Sequence, residues 1–144
     1  MKLGEQFRRE VATVQPEATL DQAGRVMSER NVGAVVVVEY GQPVGMVTDR
    51  DVALAVTVNG CGVETPVAEV MSKPVVSIRE DQGIFNATQY MLGHQVRRLP
   101  VVDADDQLVG IVTLDDMLAL LSREFSNVVK AVEPAIEERA RRPQ

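Results

Sequence analysis

The stretch Gly45-Met46-Val47-Thr48-Asp49-Arg50-Asp51 returns near the far end of the chain as Gly110-Ile111-Val112-Thr113-Leu114-Asp115-Asp116. The shared pattern is Gly, two apolar residues, Thr, two variable residues, Asp. Apolar residues running into a Thr, with a carboxylate three residues on, spell a strand that ends where a helix begins, and Thr-x-x-Asp is the acidic form of the capping box. The hydroxyl and the carboxylate then sit on the first turn of the helix, beside its unpaired backbone N–H groups and the positive end of its dipole. Capping alone accounts for a single copy, at about 1 kcal/mol per helix. Two copies at matched places point to ligand binding in addition to capping.

Working outward, Val11–Val14 reads as a short strand stopped by Pro16. Thr19-Leu20-Asp21-Gln22 opens a helix whose apolar face carries Leu20, Ala23, Val26 and Met27, with Gly33 as its stop. Ala34–Val38 is too short for a helix and solidly β-branched, which predicts a strand buried on both faces. Tyr40–Pro43 makes a turn, Val44–Val47 a strand, and Thr48 starts a helix running to about Val56. Asn59–Gly62 is a connector, and Val67–Met71 a helical turn before Lys73-Pro74. The order then repeats: strand Val75–Ile78, helix Gly83–Leu92, strands Arg98–Val102 and Leu108–Val112, and a helix from Leu114. Sliding the chain along itself lays Val11 on Val75, Leu20 on Ile84, Met27 on Met91 and Val37 on Val101. One extra residue in the second turn then brings Gly45 onto Gly110, Thr48 onto Thr113 and Asp51 onto Asp116. Each copy is strand–helix–strand–strand–helix. A unit that small buries too little surface to stand alone, so the two are expected to pack together. The expected divisions are residues 1–62, with a lead-in at Met1–Glu10, then 63–121, then a helical tail over 122–144. Phe125, Val128, Val129, Val132 and Ile136 line one face of that tail, and Pro134 interrupts it.

Composition narrows the function. The net charge is −6, which argues against a nucleic-acid or anionic-membrane surface, because phosphate neutralisation needs clustered Lys and Arg. The apolar run Ala34–Val38, which no other run exceeds, is far too short to cross a bilayer. The one cysteine, Cys61, forms no internal disulfide, and the absence of a signal-like apolar start points to the cytoplasm. The one histidine, His94, falls at a helix end with no Cys nearby, so no metal site is expected. Met27, Met46, Met71, Met91 and Met117 fall at apolar positions and read as core. No nucleophile–His–acid set and no Gly-rich phosphate loop is present, so no catalytic residue is assigned and the chain is not read as an enzyme.

The paired corners, the stretch Val96-Arg97-Arg98-Leu99-Pro100-Val101-Val102-Asp103 and the connector Val70-Met71-Ser72-Lys73-Pro74 together resemble the tandem cystathionine-β-synthase (CBS) domain pair, over roughly Val11–Leu121. The resemblance implies an α+β fold of two βαββα motifs packed as a pseudo-two-fold pair, with two clefts. It implies adenosine-containing ligands (AMP, ADP or ATP) and no catalytic cofactor. It further implies a homodimer that regulates an unidentified target protein. Carried onto this chain, Asp51 and Asp116 would accept hydrogen bonds from a ribose diol, and Thr48 and Thr113 would contact ribose or phosphate. Arg97 and Arg98 would meet phosphate, and Val14, Val35, Ile78 and Leu99 would sandwich the purine. A carboxylate can accept two hydroxyl donors at once, which suits a cis-diol. Gly33-Ala34 stands in the first repeat where Arg97-Arg98 stands in the second. The first corner is therefore expected to lack an arginine pair, with Arg50 as a substitute, and the Thr113/Asp116 corner to be the better anion site. Adjacent residues on a strand point to opposite faces, so only one of Arg97 and Arg98 is expected to line a cleft. The alternative is a structural dimerisation module with empty clefts.

Overall fold

The computed structural model describes residues 1–141; residues 142–144, with Arg142 of the tail, lie outside that range. Residues 1–112 form one compact unit and the chain from Thr113 another. The architecture is α+β, with two three-stranded mixed sheets. A short helix α1 (Leu3–Phe7) precedes the first repeat, which runs β1 (Thr13–Val14), α2 (Leu20–Arg30), β2 (Ala34–Glu39), β3 (Gln42–Thr48) and α3 (Asp49–Thr57). A 3₁₀ turn over Val67–Glu69 leads into the second: β4 (Ile78–Arg79), α4 (Ile84–His94), β5 (Arg98–Val102), β6 (Leu108–Thr113) and α5 (Leu114–Arg141).

In the first sheet the order is β1-β2-β3, with β1 parallel to β2 and β2 antiparallel to β3. The valine run sits in the middle strand, and Val35 to Val38 are all buried, as a strand covered on both faces requires. Tyr40 and Gly41 turn the hairpin with φ of 53° and 77°, the left-handed pair that a two-residue turn needs. The second sheet repeats the order as β4-β5-β6, with β4 parallel to β5.

The strands that open each repeat are shorter than expected, two residues rather than four. Parallel pairing covers only Thr13↔Val36 and Val14↔Val37, and Ile78↔Val101 and Arg79↔Val102. Pro74 has no N–H with which to extend the ladder, and Val75 and Val76 lie outside the strand. Helix α2 ends earlier than Gly33 suggests. Asn31 takes the left-handed position at φ 53°, its N–H turned back to the carbonyls of Met27 and Ser28. Gln95 ends α4 in the same way, at φ 55°. Helix α5 continues through Pro134, where an interruption was expected. Pro134 deprives the Lys130 carbonyl of its helical donor, and both residues are exposed, so water can serve that oxygen.

The lead-ins of the two repeats are exchanged. Lys2 bridges to Gly83, and the N–H groups of Leu3 and Gly4 donate to the carbonyls of Gln82 and Glu80 at 2.8 and 2.9 Å. Reciprocally, Thr19 bridges to Pro66, and the N–H groups of Leu20 and Asp21 donate to Thr65 and Val63, each at 3.0 Å. Leu3 and Val67, at matched places in the two lead-ins, are both fully buried. Each lead-in then crosses the glycine of a Gly-h-h-Thr corner (h for apolar). Arg8 bridges to Gly110 and Ser72 to Met46. A Cβ on Gly110 would overlap the Phe7 carbonyl, and one on Gly45 the Met71 side chain. At Gly110 the crossing backbone leaves no room for a side chain, whereas at Gly45 the Met71 side chain would have to give way.

Candidate functional site

Each corner forms the predicted capping box. The Thr48 N–H donates to Asp51 Oδ2 at 2.9 Å, and the Asp51 N–H to Thr48 Oγ1 at 3.1 Å. Thr113 and Asp116 repeat these bonds at 2.9 and 3.1 Å. All four residues are partly accessible. Each box engages one oxygen of its carboxylate.

Thr48 also borders a cavity of about 230 Å³. Its polar wall is formed by Thr48, Ser72, Arg97 and Arg98, and its apolar wall by Met46, Pro74, Val75, Val76 and Val96. The site therefore draws on three parts of the chain: the end of β3, the connector into the second repeat, and the entry to β5. Met46 and Thr48 are two apart on β3 and share a face. Val47 between them is fully buried on the other.

This placement corrects the expected division of charge. The arginine pair of the second repeat lies in the cavity of the Thr48 corner, which was expected to lack it. Both arginines line the cavity, where one was expected. Arg97 sits on the bend before β5, and only Arg98 is in the strand, so strand alternation does not separate them. Gly33 lies beside the same charges. A Cβ there would stand 3.6 Å from Arg98 Nη2 and 3.5 Å from Asp49 Oδ2, so the guanidinium and the first carboxylate of α3 approach the same point. Arg50 is exposed and, like Asp51, is not part of the cavity lining.

The four apolar candidates lie elsewhere. Val35 pairs with Val47 in the sheet and shares its buried face, opposite Thr48 and Met46. Ile78 pairs with Val101, and both are buried, as is Leu99. Val14 belongs to the first repeat's core and borders a separate open hollow with Gln15, Glu17 and Arg25. Val35, Ile78 and Leu99 are almost fully covered and do not line the Thr48 cavity. The apolar wall is supplied instead by residues that the strand pattern treats as connector, chiefly Pro74, Val75 and Val76. The signal available in the sequence was the parity of Met46 with Thr48.

Among the described residues no group of three or more His, Cys, Asp and Glu is arranged to hold a metal ion, and no helix is long and apolar enough to cross a membrane. Chemically, the cavity can hold a planar or aliphatic group against valine, proline and methionine while two guanidinium groups meet an anion.

The sequence model of the CBS domain matches residues 5–57 and 67–123. The CBS domain-containing protein YhcV of Bacillus subtilis is 49% identical over 108 residues, 75% of this chain and 76% of its own length. The cytosolic domain of the Mg2+ channel MgtE, solved in complex with ATP, superposes with a TM-score of 0.72 at 28% identity, over 83% of this chain and 48% of that one. The CBS domain pair of MJ0100, in complex with 5′-methylthioadenosine and S-adenosyl-L-methionine, shares the fold with a TM-score of 0.77 at 23% identity, over 86% and 98% of the two chains.

Proposed function

We propose, for a chain that belongs to the CBS-domain family and carries its repeat twice, a regulatory, non-catalytic role: it binds an adenosine phosphate of the AMP, ADP or ATP class at the Thr48 corner. The observation that carries this reading is the meeting of Arg97 and Arg98, from one repeat, with Thr48, from the other, around a single apolar-walled cavity. A phosphate accepts bidentate bonds from guanidinium, and the start of α3 adds a field favourable to anions. The valine, proline and methionine wall suits a purine face. The volume of about 230 Å³ lies below the roughly 300–1,000 Å³ of pockets that enclose a ligand, so part of the nucleotide would project into solvent. The ATP complex of the MgtE domain supports the ligand class.

Because a ligand shared by the two repeats links them, its binding favours one relative arrangement of the pair. The proposed output is that bias, passed through a homodimer to a target protein in the cytoplasm. Its size is limited by the difference in ligand affinity between arrangements. Asp51 and Asp116 remain proposed ribose-diol acceptors. Thr113 is proposed to contact ribose or phosphate at the second corner.

The test is thermal unfolding with AMP, ADP, ATP, NADH and S-adenosylmethionine in turn. A ligand that binds only the native state must raise the midpoint, by about 2.7 kcal/mol of stability at a hundredfold excess over Kd. A rise with adenosine phosphates supports the sensor. No rise with any of the five supports a structural dimerisation module, in which Thr48 and Asp51 act as a cap alone.

A further inference from the structure

Helix α5 is 28 residues long, and every residue from Leu121 to Arg141 is exposed. Its exposed apolar residues follow a heptad: Leu118, Leu121, Phe125, Val128 and Val132 are spaced three and four apart, Ala135 continues the series, and Val129 and Ile136 flank it on one side. Lys130 and Glu137 fall opposite this seam, and Pro134 beside them, where its missing N–H does not disturb a partner. Four of the exposed seam and flank residues are β-branched, which disfavours an unsupported helix, and most helical stability in proteins comes from packing of an apolar face.

We propose that the α5 seam pairs with α5 of a second copy of this chain, antiparallel and centred between Ser126 and Asn127. This homodimer surface is independent of the nucleotide cavity.

Three observations select that occupant. The first is area. Seven large apolar residues on the seam are between 38% and 71% exposed. At roughly 150–200 Å² for a large side chain they offer on the order of 700 Å² per chain, close to the roughly 800 Å² per partner of a stable interface. The second is size. Antiparallel pairing about that centre sets Leu118 against the partner's Ala135, Leu121 against the partner's Val132, and Phe125 against the partner's Val128, so large meets smaller in each layer. A parallel pair would stack Phe125 on its own copy and press Glu124 against the partner's Val129. The third is charge. Residues 114–141 hold six carboxylates and four basic residues, which disfavours an anionic lipid surface as the occupant.

The test uses the full chain in sedimentation velocity. Phe125→Glu with Val128→Glu should halve the mass of the wild-type particle, and Lys130→Glu, on the far side, should leave it unchanged. Circular dichroism at low and high concentration monitors folding of each variant. A wild-type monomer, or a mass unchanged by the paired glutamates, overturns the proposal. Orientation is read in a Cys61→Ser background. A mixture of Leu118→Cys and Ala135→Cys chains should form the mixed disulfide dimer, and neither alone should cross-link. Cross-linking of Leu118→Cys with itself would overturn the antiparallel arrangement. Neither result depends on whether nucleotide binds.

Discussion

Replacing Thr48 by Val separates capping from ligand binding, because the chain contains its own control. Thr19 caps α2 with the same geometry: its N–H donates to Gln22 Oε1 at 2.9 Å and its Oγ1 accepts from the Gln22 N–H at 3.1 Å. The Thr48 box has bonds of 2.9 and 3.1 Å. Valine keeps the shape and removes the acceptor, so each substitution should cost about 1 kcal/mol, within a range of about 0.5–2. In a chain this size that corresponds to a fall of roughly 3–5 °C in Tm. Urea titration should show both midpoints lower with unchanged slope. The two variants should part company when nucleotide is added. Thr48 borders the cavity and Thr19 does not. Losing one hydrogen bond to ligand, about 0.5–1.5 kcal/mol, weakens binding roughly 2- to 10-fold. Thr19→Val should therefore keep the wild-type rise in midpoint with ATP, and Thr48→Val should show a smaller one at the same concentration. Equal ligand responses in the two variants would refute a role for Thr48 beyond its cap.

Arg98→Met keeps most of the side-chain stem and removes the charge; stability should move by less than about 0.5 kcal/mol, while ATP affinity by calorimetry falls roughly 10- to 100-fold, the loss of one charge-assisted contact. Gly110→Ala forces the crossing backbone at Phe7 to move and should destabilise by about 1–3 kcal/mol, with amide exchange at Leu3 and Gly4 accelerating before that of β2. Gly24→Ala meets nothing within 4 Å in the middle of α2, and should raise stability by about 0.5–1 kcal/mol in the same urea assay. Leu99→Ala empties a fully buried position; it should cost about 2–5 kcal/mol while leaving nucleotide affinity of the folded protein unchanged.

The repeat, the capping boxes and the doubly buried β2 were legible in the sequence because each rests on short-range chemistry: a hydroxyl and a carboxylate three residues apart, or an unbroken valine run. The exchange of lead-ins was not. Leu3 and Val67 occupy matched places, but nothing local says that each docks on the other repeat. That exchange carries the connector through Ser72 and Pro74 to the Thr48 corner, where the second repeat's arginines also lie. The purine-facing candidates lie away from the Thr48 cavity for a related reason. Val35 and Thr48 are neighbours across the hairpin, yet the register pairs Val35 with Val47 and sends both to the buried face. A one-residue change of register exchanges the two faces of a strand, and the hairpin's register shift between Val37 and Val38 is not visible in the residues alone.

Arg97 and Arg98 are proposed to give the Thr48 cavity its affinity for a nucleotide phosphate. Titration calorimetry of ATP into the wild type and into Arg97→Ala/Arg98→Ala, at two salt concentrations, tests it directly. The expected result is a saturable heat in the wild type that weakens as salt rises, and its loss in the double variant with the fold intact. Equal heats in the two proteins, or no heat in the folded wild type, would contradict it.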